Sequence, residues 1–240
     1  MSPRIIGLAA TTALAFGAAL LLTSPVFTQA ARADESFVVP APAQDVAPSI
    51  SNRAEIVLSG GCFWGVQGVF QHVAGVTQAV SGYAGGAAKT ADYETVSTGS
   101  TGHAESVDII FDPQKISTGQ ILRIFFSVAH DPTKINAQGP DRGTQYRSAI
   151  FATTDDQLRT ARAYVAQLNA AHVFAAPIAT DITRLPAFYP AEAYHQNYLT
   201  LNPNQPYIAI NDLPKVAALK TLFPQNYRAN PVLVPDSAVK

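Results

Sequence analysis

Short apolar runs alternate with stretches of helical period between residues 55 and 198, and glycine or proline often separates them. Alternating or continuous apolar character predicts strands, whereas apolar residues three or four positions apart predict helices. The predicted strands cover residues 55–58, 76–83, 103–111, 146–151 and 178–183, and the predicted helices cover residues 64–73, 117–129, 154–171 and 190–198. The last helix is short and is expected to begin at Pro190.

The order of these elements favours one fold class. Strands and two long helices follow one another without a regular strand–helix repeat. Such an order suits helices packed on a mixed or antiparallel sheet. The sequence therefore predicts an α+β protein with helices layered on a sheet.

The first 33 residues have the pattern of a secretory signal peptide. Arg4 precedes an apolar stretch at residues 5–22, Ser24 and Pro25 end it, and small-x-small cleavage sites follow, with Ala33 favoured as the last residue removed. The alternative is an uncleaved anchor helix with the remaining chain facing outward. The predicted organisation is a signal at 1–33, a Pro- and Ala-rich flexible linker outside the core at 34–52, and one domain at 53–240, exported and periplasmic.

Charge excludes two classes of partner. The 16 Lys and Arg residues stand against 17 Asp and Glu residues, and Arg4 and Arg32 would leave with the signal. The mature chain would then carry 14 basic and 17 acidic residues, a net charge of −3. This balance argues against nucleic acid and against a polybasic membrane-binding face.

Cys62 is the only cysteine, and it lies with the only tryptophan in the sequence "GGCFWG". A buried core thiol is the ordinary explanation. A nucleophile is the alternative, because a predicted strand ends in two glycines here and a predicted helix begins. Helix N-terminal amides stabilise an anion, so this position is expected to lower the pKa of the thiol.

Three glycine-containing loops that lead into strands carry groups able to transfer a proton. These candidates are Tyr93, His103, Glu105, Asp141 and Tyr146. A carboxyl at a strand start beside aromatic residues can acquire a raised pKa and serve as a general acid. Taken singly, each is more often an ordinary loop or strand-end residue. The five histidines show no metal-ligand spacing, so no metal site is expected.

Six motifs in a fixed order give the sequence a resemblance to a known family. They are "GGCFWG", "VSGYAGG", "DYETVSTGSTGHAESV", "FFSVAHDPT", "QGPDRGTQYRSAIF" and "FYPAEAYHQNYL". Together they closely resemble the A-type peptide methionine sulfoxide reductases over residues 55–222. The resemblance implies a two-layer α+β sandwich built on a ferredoxin-like plait.

The resemblance also implies roles for the motif residues. Cys62 matches the nucleophile, and Phe63 and Trp64 match the aromatic wall that holds the S-methyl group of the substrate. Glu105 matches the acid that hydrogen-bonds the sulfoxide oxygen. His103 lies beside Glu105 and is expected to have a structural role.

Three further residues match the oxygen side of the family site. Tyr93 and Tyr146 correspond to hydroxyl donors to the sulfoxide oxygen, and Asp141 corresponds to a carboxyl that helps to orient the site. The implied reaction is thiolate attack on the sulfur of the S epimer in oxidised proteins or peptides, with protonation of the departing oxygen. Its products are methionine and a sulfenic acid on Cys62.

The chain departs from many relatives in having no second cysteine. Ile208 and Ser97 occupy positions near those at which some relatives carry one. The sulfenic acid is therefore expected to be reduced by an external thiol, from a thioredoxin-like or glutaredoxin-like protein or a small molecule. No bound cofactor is expected, and a monomer is expected.

Two other classes of function remain at this point. A cysteine hydrolase or acyl transferase would pair Cys62 with a histidine such as His103 or His195. A non-catalytic domain would bind oxidised peptides and use Cys62 only structurally. Replacement of Cys62 by serine separates a reductase, which loses turnover, from a binding domain, which keeps its function.

Overall fold

A computed structural model describes Met1 and residues 36–235 of the 240-residue chain. The predicted signal peptide from residue 2 onward, and residues 34 and 35 of the predicted linker, lie outside the described residues. The strands described are β1 (Ala54–Gly60), β2 (Val76–Ala84), β3 (Ala104–Phe111), β4 (Ala137–Gln138), β5 (Asp141–Arg142), β6 (Ser148–Ala152), β7 (Asp181–Arg184) and β8 (Phe188–Pro190). The α-helices described are α1 (Phe63–Gln71), α2 (Tyr93–Val96), α3 (Thr118–Ile124), α4 (Asp155–Ala170), α5 (Tyr198–Leu201) and α6 (Leu213–Leu222).

Six of these strands form one mixed sheet. Their order is β7-β6-β1-β3-β2-β8, with β6 and β7 parallel and all other neighbours antiparallel. Strands β4 and β5 form a separate short ribbon. The predicted α+β class with a mixed sheet and packed helices is confirmed.

The two faces of the sheet differ in the size of their side chains. On one face, Ile56, Leu58 and Ile109 pack in the main core with Val66 and Phe70 of α1. The alternation of side chains along each strand places mostly smaller residues on the other face, where the buried cluster is Val57, Ala84, Ala104, Ala149 and Phe151. The large helix-covered core therefore fixes α1 against the ends of the central strands.

The predicted helix over 117–129 is confirmed, and its sequence explains its start. Ser117 accepts a hydrogen bond from the backbone N–H of Gln120, and the Gln120 side chain bonds back to Ser117, which forms a capping box. The helix continues beyond α3 as a wider π-type turn at Phe125–Ala129.

The predicted helix over 190–198 is wrong. Residues Phe188–Pro190 instead pair with β2 as β8, a 3₁₀ turn follows at Ala193–His195, and Asn197 has a φ of +57° before α5 begins. The Gln196 side chain exchanges hydrogen bonds with the backbone of Ser81 in β2, at 3.0 and 2.9 Å. These contacts with the sheet outweigh the local helical pattern.

The expectation that residues 34–52 lie outside the core also needs correction. Val39 is fully buried, its N–H donates to the Ser127 hydroxyl at 3.1 Å, and its carbonyl accepts from Arg123 at 2.9 Å. The hydroxyl of Tyr164 donates to the Pro40 carbonyl at 2.6 Å. Although no helix or strand forms over 36–53, this segment is packed across α3 and α4.

Helix α6 has no counterpart among the predicted elements. It follows a π-type turn at Ile208–Asp212, and Ile208, Val216 and Leu219 are buried in the main core. Thus the C-terminal segment packs beside α1. Among the described residues, none of the helices combines the length and apolar character needed to cross a bilayer.

Candidate active site

Cys62 lies between the end of β1 and the first turn of α1, as the sequence predicted. It occupies the N-cap position, and Gly61 before it has a φ of +89°, a left-handed conformation that favours glycine. The backbone N–H of Trp64, in the first turn of α1, favours the charged form of the thiol. The reversal of the chain at the two glycines thus points the sulfur at the helix N-terminus.

The expected lowering of the thiol pKa is contradicted. Cys62 is only 9% exposed, and burial raises its pKa well above the ordinary value; the charges of Glu105 and Asp212 raise it further. The Trp64 N–H and the ammonium of Lys215 oppose this rise without overcoming it. Desolvation penalises a thiolate more than one helix N-terminus stabilises it, so the free protein holds a neutral thiol.

Glu105 lies beside the thiol at the same helix N-terminus. It stands in β3 opposite Tyr83 of β2, is 3% exposed, and accepts a hydrogen bond from the Phe63 N–H at 3.0 Å. Burial raises the pKa of its carboxyl to about 8 against the opposing effect of that hydrogen bond, and Asp141 and Asp212 contribute to the rise. At neutral pH the group is therefore a protonated acid, as its sequence position suggested.

The structure brings Tyr93 and Tyr146 to this acid. Burial is the main cause of the raised pKa of both phenols, and the negative charge of Glu105 is the second cause in each case. Asp141, Cys62 and Tyr93 also raise the pKa of Tyr146. Both hydroxyls consequently remain protonated donors at neutral pH.

Asp141 joins the site through a residue that the sequence analysis did not identify. Its carboxyl accepts a hydrogen bond from the hydroxyl of Tyr207, just before the π-type turn that leads to α6. Burial and then Cys62 raise the pKa of Tyr207. The sequence signal for Tyr207 is its place next to Ile208, in the C-terminal segment that contains no cysteine.

Aromatic rings line the side of the site nearest α1. Phe63 is 1% exposed, and the Trp64 ring stacks on Tyr198 with centroids 3.9 Å apart and an angle of 11°. Tyr207 meets the edge of Trp64 at 6.1 Å. The predicted pair of Phe63 and Trp64 therefore belongs to a larger wall, whose other members come from the C-terminal third of the chain.

His195 supports this wall. Its Nδ1 accepts a hydrogen bond from the Trp64 indole N–H at 3.2 Å, and its ring lies 5.0 Å from Phe63 and 4.5 Å from Tyr93. Burial lowers its pKa, so the ring is neutral. Since Nδ1 is an acceptor here, the proton is on Nε2, which faces Glu192 at 4.0 Å.

Neither histidine of the hydrolase alternative pairs with the thiol among the described hydrogen bonds. His103 is bonded through both ring nitrogens to the backbone, to the Gly86 N–H at 3.2 Å and the Ala87 carbonyl at 3.1 Å. His195 uses Nδ1 for Trp64. Within residues 36–235, no group of three or more His, Cys, Asp or Glu side chains could hold a metal ion.

A cleft of about 370 Å³ opens beside Cys62. Asp141 and Tyr207 line it on the side of the ribbon and the C-terminal segment, and Lys215 lines it at the start of α6. Phe37 and Phe174, whose rings lie 5.5 Å apart, also line it. The buried thiol is thus accessible from solvent through this cleft.

Comparison with sequence families gives one extensive match. A family described as peptide methionine sulfoxide reductase matches residues 54–227. The protein "Peptide methionine sulfoxide reductase MsrA 2" of Mesorhizobium japonicum is 62% identical over 178 residues, 74% of this chain and 91% of that protein. A protein of the same name in Synechocystis sp. is 46% identical over 198 residues, 81% of this chain and 92% of its own length.

Solved structures agree with this match. Reduced Mxr1 from Saccharomyces cerevisiae has a TM-score of 0.58 and 33% identity, covering 65% of this chain and 90% of that one. Methionine sulfoxide reductase A of Corynebacterium diphtheriae has a TM-score of 0.56 and 32% identity, covering 70% of this chain and 84% of that one.

Proposed function

Since this chain belongs to the peptide methionine sulfoxide reductase family, we propose that it reduces the S epimer of methionine sulfoxide through attack of Cys62 on the sulfoxide sulfur. Oxidised proteins and peptides are the proposed substrates, with free methionine sulfoxide a further one. One observation carries the proposal: the Cys62 thiol and the protonated Glu105 carboxyl lie at one helix N-terminus, where Cys62 is the N-cap residue and Glu105 accepts the Phe63 N–H at 3.0 Å. A nucleophile and an acid are thereby held on the two sides of one reacting centre.

The aromatic wall and the hydrogen-bond donors bind different parts of the substrate. The S-methyl group packs on Phe63 and Trp64, while the sulfoxide oxygen receives hydrogen bonds from Glu105, Tyr93 and Tyr146. Because the sulfur is a stereocentre, fixed sites for methyl and oxygen select one epimer. Asp141 and Tyr207 hold each other at the edge of this site through their hydrogen bond.

The first half of the reaction then balances in protons and electrons. Glu105 gives its proton to the sulfoxide oxygen as the S–O bond weakens, and the Cys62 thiol gives its proton to the Glu105 carboxylate. The oxygen passes to the sulfur of Cys62 as a sulfenic acid, and methionine leaves. The cysteine is oxidised by two electrons, the substrate is reduced by two, and Glu105 ends protonated.

The second half requires a thiol from outside the chain. The sequence contains one cysteine, and Ile208 is a fully buried core residue near the position at which some relatives carry another. We propose that a thioredoxin-like or glutaredoxin-like protein, or a small thiol, reduces the sulfenic acid through a mixed disulfide. The protein would work as a monomer with no bound cofactor.

Export and fold detail are also proposals. The apolar segment and cleavage sites before residue 34 support removal of a signal peptide and repair of proteins in the periplasm. N-terminal sequencing of the chain from a periplasmic fraction tests this proposal.

The order β6-β1-β3-β2, with α1 and α3 packed in the same core, supports a ferredoxin-like plait at the centre of the sheet.

A direct assay tests the function. The purified chain is incubated with a short peptide carrying either epimer of methionine sulfoxide, with and without dithiothreitol. We expect turnover of the S epimer only with dithiothreitol, and one methionine per chain without it. Mass spectrometry should then find a sulfenic acid or its thiol adduct on Cys62.

Two outcomes would contradict the proposal. Reduction of neither epimer would remove the reductase function, and a species on Cys62 other than the sulfenic acid or its adduct would remove the one-cysteine cycle. Cys62→Ser should lose all turnover yet fold normally. If that variant retained the function of the protein, a non-catalytic binding domain would be the better explanation.

A further inference from the structure

An ion pair in the C-terminal segment packs against α1, the helix that begins after Cys62. Asp212 is fully buried at the end of the π-type turn, and its Oδ1 lies 3.0 Å from Nζ of Lys215 in the first turn of α6. The other oxygen, Oδ2, is buried and has no hydrogen-bond partner among the described residues. Burial raises the pKa of Asp212, and the Lys215 ammonium opposes the rise.

The pair packs against α1 at Gly65, three residues after Cys62. A Cβ atom at this position would collide with Oδ1 of Asp212 and lie 2.9 Å from Nζ of Lys215. The absence of a side chain at Gly65 therefore lets both charged groups approach the helix that carries the thiol. This close approach explains why both groups influence the pKa of Cys62.

Of the two residues of the pair, only Lys215 lines the cleft. Lys215 lines the 370 Å³ cleft together with Cys62, and its side chain is 21% exposed, whereas Asp212 is enclosed behind it. Lys134 also lines the cleft, but its side chain is 48% exposed and lies 3.7 Å from Asp131. Lys215 is thus the more buried of these two cations.

We propose that Lys215, positioned by Asp212, binds the sulfur of the external thiol as a thiolate while that thiol attacks the Cys62 sulfenic acid. The inference rests on the proposed function and assigns the second half of the cycle to the cleft that Lys215 and Cys62 line, whereas the oxygen donors of the first half do not line it. Glu105, Tyr93 and Tyr146 are neutral donors that suit a sulfoxide oxygen. An anionic sulfur is better matched by an ammonium.

The chemistry of the second half explains why a cation helps. A free thiol with a pKa of about 8.5 is mostly protonated at neutral pH, and only its thiolate attacks sulfur. A nearby ammonium favours the charged form. The Asp141 and Asp212 carboxyls would repel the thiolate, so Lys215 supplies the compensating charge.

The thiol loses its proton to solvent and forms an S–S bond with Cys62, the S–O bond breaks, and the hydroxide leaves as water with a proton from Glu105. A second thiolate then attacks the mixed disulfide and releases Cys62 as a thiolate, which takes up a proton, as does Glu105. Overall, two thiols are oxidised to one disulfide, and the sulfenic acid is reduced to a thiol and water.

Separate measurement of the two halves tests the role of Lys215. A single turnover without reductant gives the rate of methionine formation, and mixing of the fresh sulfenic acid with a thiol gives the rate of its reduction. For Lys215→Gln, we expect the second rate with dithiothreitol to fall about tenfold relative to the first, the effect of one pKa unit on the thiolate fraction. Lys215→Arg should recover most of the loss, and Lys215→Met provides a second neutral side chain if the glutamine variant unfolds.

A series of thiols distinguishes a charge effect from a structural one. The loss in Lys215→Gln should be larger with anionic 2-mercaptoethanesulfonate than with dithiothreitol, and smaller with cationic cysteamine. The control is Lys220→Gln, which changes an exposed lysine on the same helix, 5.8 Å over the Tyr227 ring. This variant should leave both rates unchanged.

Two results would overturn the inference: an equal loss in both halves of the reaction, or the same loss with all three thiols. Failure of the proposed function would look different. In that case the unaltered chain would form no methionine in the first half, whatever happened at Lys215.

Discussion

Strand β3 carries two carboxyls of raised pKa on its opposite faces, the buried Glu105 and the half-buried Asp108, and only Glu105 belongs to the site. Glu105 lies on the helix-covered face and Asp108 on the face of smaller side chains, opposite Val57. Burial raises the pKa of Glu105 to about 8 and that of Asp108 to about 7. By pKa alone, the two residues would be similar candidates for a general acid.

Their neighbours separate them. Glu105 accepts the Phe63 N–H and lies beside a thiol and two phenols, whereas Asp108 has one buried oxygen without a hydrogen-bond partner and faces the charges of Glu55 and Arg53. A raised carboxyl pKa therefore marks a functional site only where a nucleophile and donors converge on the same point.

Replacement of the two carboxyls by amides should give the largest contrast. We expect Glu105→Gln to slow methionine formation in a single turnover by about 10²- to 10⁴-fold, because the amide cannot transfer a proton. Asp108→Asn should leave that rate unchanged. Glu94→Gln, an exposed carboxyl next to Tyr93, is the matched control for a change of charge near the site.

A rate for Glu105→Gln within a factor of three of the unaltered chain would remove Glu105 from the role of acid. A comparable loss in Asp108→Asn would mean that strand β3 as a whole, rather than its site-facing residue, determines the activity.

Loss of one hydroxyl donor should have a smaller effect. Tyr146→Phe is expected to slow the same single turnover by about 10- to 100-fold, since one donor to the developing charge is removed while Tyr93 and Glu105 remain. The control is Tyr189→Phe, whose hydroxyl makes no hydrogen bond among those described and whose ring packs at 5.7 Å from His103. Equal rates for the two variants would place the Tyr146 hydroxyl outside the oxygen site.

The residues around Glu105 show how far the sequence alone predicts this site. Cys62, Glu105, Tyr93, Tyr146 and Asp141 lie in motifs whose order identified the family, and the structure brings them together. Strand alternation also predicted β3 correctly, because large residues at every second position must share the core face.

The parts that the sequence did not predict depend on long-range contacts. Tyr207 and Tyr198 reach the site, and His195 bonds Trp64 rather than Cys62, because Gln196 binds β2 and the C-terminal segment packs on α1. Neither contact leaves a local pattern in the sequence. The pKa of Cys62 was misjudged for a related reason. The helix N-terminus is visible in the sequence, but the burial that outweighs it is not.

The pKa of Glu105 predicts how the first half of the reaction depends on pH. The step needs the thiol proton and the Glu105 proton together, so it should be fastest while both groups are protonated. We expect the single-turnover rate to be nearly constant below about pH 7 and to fall about tenfold per pH unit above about pH 8. Glu105→Gln should lose this fall, and Asp108→Asn should keep it. A rate that instead rose through pH 8 would indicate a reactive thiolate formed in advance.

The smallest expected effect is on the stability of the protein, and it comes from Asp108 on the other face of β3. A folded-state pKa of about 7 for Asp108, above the ordinary 3.8, means that the folded protein holds this proton more tightly than the unfolded chain. Its stabilising contribution is complete below about pH 4 and is lost as pH rises through 7. Asp108→Asn should therefore raise the free energy of unfolding at pH 8 by about 1–3 kcal/mol and by little at pH 4.

Urea unfolding at both pH values measures this difference, with the exposed Glu94→Gln as the control. Destabilisation by Asp108→Asn at pH 8 would mean that the charged carboxylate is favourably solvated in the fold, and that burial does not decide the behaviour of this face.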